Sequence, residues 1–109
     1  MTAKKKKVAR RYPPLPTEVQ GAGGTITVQL VKSIAAESAD EDTLGQFEPS
    51  TRHILILKSL RGDQQWMVLF HELTHAALWD SGAHNALTGP AEEIVCDAVA
   101  TSRLREKFP

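Results

Sequence analysis

The chain has 109 residues, 41% of them apolar and 24% charged, with a formal net charge of zero. That length holds one domain with a single modest core and excludes two. The composition is that of an ordinary soluble globular protein, and no apolar run approaches the ~20 residues of a membrane span.

The charge is unevenly spread. Residues 1–11 (MTAKKKKVARR) carry six basic residues and no acid, which leaves 7 basic against 13 acidic residues in the remainder. The lone cysteine, Cys96, has no partner for an internal disulfide, which points to a reducing compartment. The basic start is followed by VARRYPPLP rather than the apolar core of a signal peptide. A soluble, cytoplasmic protein without a membrane anchor is the expectation.

In chain order, residues 1–24 read as a disordered tail: basic residues, then PPLP, then GAGG. Residues 4–11 offer a contact for nucleic acid or an acidic partner, or are simply a solvated terminus. The folded domain is expected to span 25–109. TITVQLVKS (25–33) alternates β-branched and polar residues and predicts a strand. The small, acidic IAAESADEDT (34–43) reads as a connection. LGQF (44–47), EPST (48–51) and RHILILKSL (52–60) predict a hairpin, with Pro49 at the second turn position and Ile54 and Ile56 on one face.

Asp63 is a plausible N-cap for a helix from about Gln64 to Trp79, and Gly82 suits its left-handed C-cap. SGAHNALTG (81–89) reads as a loop. Pro90 suits the first turn of a second helix reaching about Lys107, with Glu92 and Glu93 near its positive end and Ile94, Ala98 and Leu104 toward the core. The fold class is therefore α+β: a small three-stranded antiparallel sheet, then two helices.

The first helix contains FHELTHAALW (70–79). His71 and His75 lie four residues apart, so a helix places both rings on one face, about 6 Å apart along its axis. That spacing lets both reach one Zn²⁺ at about 2.0–2.1 Å. Glu72 sits at the edge of that face, too offset to be a ligand but near enough to take a proton from a zinc-activated water. Trp66, Phe70, Leu73 and Ala77 occupy the opposite, packing face. Two satisfied histidines on a half-buried helix are the competing reading.

A catalytic zinc takes a third protein ligand and keeps one position open. EEIVCDA (92–98) supplies Glu93 as that ligand. Asp97, one turn on, can accept a ring N–H from His71 or His75 and fix its tautomer. Glu92 is a weaker ligand candidate. His84 is a rival third ligand, or a candidate transition-state stabiliser through a hydrogen bond to a developing oxyanion. Cys96 reads either as a thiolate ligand or as a small buried thiol.

HELTH followed by Glu93 and Asp97 as E-x-x-x-D resembles the gluzincin zinc metallopeptidases. The small size resembles their minimal members, the minigluzincins, and metallopeptidase-like proteins encoded by phages and prophages. The resemblance covers roughly residues 44–106. It implies a zincin-like minimal fold with His71, His75 and Glu93 as zinc ligands, Glu72 as general base and Asp97 as the carboxylate behind a ligand. The chain departs from larger gluzincins in lacking a second subdomain with His or Tyr donors, for which His84 and Tyr12 are the available stand-ins.

The expected function is therefore zinc-dependent peptide hydrolysis, by an endopeptidase that takes an extended segment of a peptide or protein along the edge of LGQF or RHILILKSL. Two other readings stand beside it: a non-catalytic zinc-binding module that recognises a protein or nucleic acid, and a metal-free structural domain.

Overall fold

The computed structural model describes residues 12–34 and 43–109. The basic segment 4–11 and most of the acidic connection lie outside the described residues. Four strands, β1 (Glu18–Gly21), β2 (Gly24–Val31), β3 (Gly45–Glu48) and β4 (His53–Leu57), precede two helices, α1 (Gly62–Ser81) and α2 (Gly89–Lys107). A short 3-10 turn, Ala83–Ala86, joins the helices.

The α+β class holds, but the sheet is not the expected three-stranded antiparallel one. It has four strands in the order β1-β2-β4-β3, and its central pair, β2 and β4, runs parallel. The two outer pairs are antiparallel hairpins. The parallel pair arises because β3 folds outward along β4 and takes the edge, leaving the inner side of β4 to β2. Consecutive strands more often pair directly, so local patterning does not disclose this insertion. The tail expected through residue 24 is also too long. β1 falls inside it, but EVQG is short and half-exposed and carries no alternation that would mark a strand.

The core sits between the sheet and α1. Ile26, Ile54 and Ile56 are fully buried, and Val28, Leu69, Phe70 and Trp66 complete the layer. Each fully buried large aliphatic contributes about 1.5–3 kcal/mol. The Trp66 indole N–H donates to the Pro13 carbonyl at 2.8 Å, which ties the start of the described chain to this layer.

α1 begins two residues before the expected Gln64. Arg61 is the N-cap, and its backbone N–H donates to the Gln64 side chain at 3.2 Å. Asp63 sits in the first turn, paired with Arg61 rather than capping. The helix stops at Gly82, whose φ of 82° is the left-handed cap expected there. Thr88 caps α2 by accepting the Ala91 N–H at 3.1 Å, with Pro90 in the first turn.

α2 presents Cys96 and Ala100, both fully buried, to the core. The expectation that Ile94 and Ala98 serve the core is not met: both are exposed, and Ile94 is 69% so. A helix of period 3.6 that turns 93, 96, 97 and 100 toward α1 cannot turn 94 and 98 the same way.

Candidate metal centre

α1 and α2 pack side by side, joined through the 3-10 turn, and their facing surfaces bring the expected residues together. His71 Nε2 lies 3.0 Å from one Glu93 oxygen, and His75 Nε2 lies 3.1 Å from the other. His71 Nδ1 lies 2.8 Å from Asp97 Oδ1. His75 Nδ1 lies 2.7 Å from Glu92 Oε2. The two rings stand edge to face, with centroids 4.9 Å apart.

Each ring faces carboxylate oxygens through both of its nitrogens, so either nitrogen can carry the ring proton. Two rings and three carboxylates crowd one another here, and a shared cation would relieve that crowding. Ligand atoms at 2.0–2.1 Å from a tetrahedral zinc stand about 3.3 Å apart, close to the separations here. The two separations from the rings to Glu93 are thus compatible with a shared metal ion.

Cys96 belongs to the same cluster. Its sulfur and the ring nitrogens of His71 and His75 lie within 4.8 Å of one another, close enough to hold a metal ion. Burial pushes the thiol up to about 12, and Glu93, Glu92, Glu72 and Asp97 add to the effect. It is a neutral thiol unless a metal displaces its proton.

Glu72 is buried, and its burial raises the carboxyl above the ordinary glutamate range. His75 and His71 oppose that rise, as does a hydrogen bond from the Phe47 backbone. Phe47 lies on β3, so the edge strand stands directly over the glutamate. Gly45 permits this approach: a Cβ there would collide with the Val68 side chain and touch Glu72.

A cleft of about 720 Å³ opens along β3 and contains His71, Glu72, His75, Glu92, Glu93 and Asp97. Leu44, Phe47, Met67 and Trp79 form its apolar wall. His84 does not line it. The His84 ring stacks on Trp79, 4.4 Å between centroids, and so backs the wall from outside. Tyr12 packs on Phe108, at the far end of α2 from Glu93, and lies outside the cleft as well.

Sequence reasoning placed His71, Glu72, His75, Glu93 and Asp97 in one site but missed the role of Glu92. The structure pairs it with His75 as Asp97 is paired with His71. The available signal was the second acid immediately before Glu93. Among the described residues, no helix is long and apolar enough to cross a membrane. No protein-family model matches the chain, and no curated protein or solved structure matches it.

Proposed function

We propose that the chain is a zinc-dependent peptidase of the gluzincin type, on the scale of the minigluzincins and of phage- and prophage-encoded metallopeptidase-like proteins. His71, His75 and Glu93 hold the metal, Glu72 is the general base, and Asp97 and Glu92 orient the two rings. The observation that carries this reading is the convergence of two Nε2 atoms on one carboxylate, each ring tethered at Nδ1 by its own acid.

Zinc bound there supplies a Lewis acid that polarises a peptide carbonyl and acidifies water. Glu72 does the proton work. A carboxyl raised by burial is suited to take a proton from the attacking water and return it to the leaving amine. The Phe47 amide holds that carboxylate in place. Among the described residues the outer edge of β3 is unpaired, and it would offer main-chain hydrogen bonds to an extended substrate segment. The compartment we propose is the cytoplasm.

The buried thiol favours a second reading. If Cys96 joins His71, His75 and Glu93 on the metal, the site is closed and the chain is a non-catalytic zinc module for a protein or nucleic-acid partner. Two measurements separate the readings. Glu72→Gln should abolish peptide cleavage and spare zinc binding, whereas absence of any Glu72-dependent cleavage by zinc-loaded protein removes the peptidase reading. A cobalt-substituted sample with strong sulfur-to-metal charge-transfer absorption would assign Cys96 as a ligand and favour the closed site. Zinc-free protein after purification and zinc incubation would remove both.

A further inference from the structure

The cleft carries more negative charge than its proposed chemistry uses. Glu72, Glu92, Glu93 and Asp97 all line it, and among the described residues no lysine or arginine does. The charge of one divalent cation would offset two of those four carboxylates and leave two unmatched. Asp97 is the exposed member. Its side chain is 75% accessible, and Oδ1 is taken by His71. Oδ2 is thus available to a charged group entering from solvent.

The opposite wall differs in kind. Trp79 is 46% exposed and Leu44 43%, with Met67 and Phe47 beside them. The stack on His84 holds the Trp79 ring in a fixed plane. Large apolar side chains left open in a cleft mark a surface that a ligand covers.

We propose that the substrate segment is cationic and amphipathic: an extended peptide that sets a lysine or arginine against Asp97 and bulky apolar side chains against Leu44 and Trp79, which lie toward the two ends of β3. This rests on the peptidase reading only in taking the cleft as the substrate site. Charge complementarity argues the basic residue, since an acidic peptide or a nucleic-acid backbone would meet uncompensated carboxylates. The exposed apolar side chains of Leu44 and Trp79 argue for apolar residues in the same segment. Asp97 therefore orients His71 through one oxygen and selects substrate through the other.

The test uses full-length Glu72→Gln protein loaded with zinc, which binds without turnover. Three matched short peptides are titrated, identical except for one central position: lysine, norleucine or glutamate, each beside a leucine. The lysine peptide should bind roughly tenfold tighter than the glutamate peptide at low salt, with norleucine between them. The gap should narrow as salt rises. By NMR, the Trp79 indole N–H and the amides of Gly45 to Phe47 should shift, and the Trp66 indole should not. Asp97→Asn in the same background keeps an acceptor for the His71 ring but removes the charge. With zinc supplied at a concentration that saturates the variant, as metal analysis confirms, it should shrink the lysine preference several-fold.

Equal affinity for the three peptides, tighter binding of the glutamate peptide, or shifts away from the cleft would each overturn the proposal. Retention of the full preference in Asp97→Asn would remove Asp97 from it. A protein that cleaves nothing yet prefers the lysine peptide keeps this inference and loses the peptidase reading. One that cleaves and binds all three equally does the reverse.

Discussion

Two charged clusters sit on the same helix, one at its end and one at its middle, and they are built on opposite principles. At the C-terminal end of α1, Asp80 accepts two hydrogen bonds from the Arg52 guanidinium, at 2.8 and 3.0 Å, and a third from the Gly23 N–H at 2.9 Å. Arg52 also donates to the Gly24 carbonyl at 3.3 Å. One cation meets one anion, and the pair joins the β1–β2 turn, the β3–β4 turn and the helix. In mid-helix the sign balance fails: four carboxylates surround two imidazoles, with no lysine or arginine among the described residues of the cleft. A matched cluster is spent on holding the fold together. An unmatched one lowers stability in isolation, and its place in a cleft makes it a candidate for the cation proposed above.

The comparison can be broken in several ways. The largest expected effect is catalytic. Glu72→Gln should lower peptide hydrolysis by about 10²–10⁴-fold with zinc content unchanged, as measured by initial rates and metal analysis on the same sample. An activity that survives would mean the unmatched cluster has another use.

Next comes an opposition in stability. Asp80→Ala removes charge-assisted hydrogen bonds and strands a half-buried guanidinium, so urea unfolding should show a loss of about 2–3 kcal/mol. Glu93→Gln in zinc-free protein removes one of four crowded acids and should be neutral or stabilising. The same variant should lose most of the rise in Tm that zinc gives the wild type. Equal losses for Asp80→Ala and zinc-free Glu93→Gln would erase the distinction between the clusters.

Glu92→Gln should weaken zinc binding by about 10–100-fold, because the His75 ring loses its charged acceptor, and competition with a chromophoric chelator would read this. Glu92→Gln with unaltered zinc affinity would return Glu92 to the role of a helix-end acid.

The smallest effect concerns pH. The hydrogen bonds from Arg52 hold the Asp80 carboxyl below its ordinary value of 3.8. A carboxyl depressed by folding adds stability that is fully present above its unfolded value and fades as pH falls through the lower folded one. The stability gap between wild type and Asp80→Asn should therefore be constant from neutral pH down to the ordinary aspartate range and narrow below it.

Much of the site was legible because its signals are local. The four-residue spacings of His71 with His75 and of Glu93 with Asp97 each define a helix face, and Gly82 and Pro90 bound the helices that carry them. What was not legible depends on distant partners. β1 is a strand because β2 is there to pair with it, and nothing in EVQG alone says so. The parallel pairing of β2 with β4 follows from where β3 goes, which is decided by tertiary packing. Ile94 reads as core by hydropathy, yet it is exposed because the α2 face toward α1 is already committed to Glu93, Cys96 and Ala100. The second-acid role of Glu92 needed the distance to His75, which no spacing rule supplies across a turn.

The proposed ligands and their tethers all come from one helical hairpin, within residues 71 to 97, whereas the ceiling over Glu72 comes from β3. Grafted onto an unrelated helical scaffold, the hairpin would carry the proposed metal site with it. The basicity of its glutamate would stay behind, because the dry wall and the Phe47 amide that tune it belong to a part of the chain the graft leaves out.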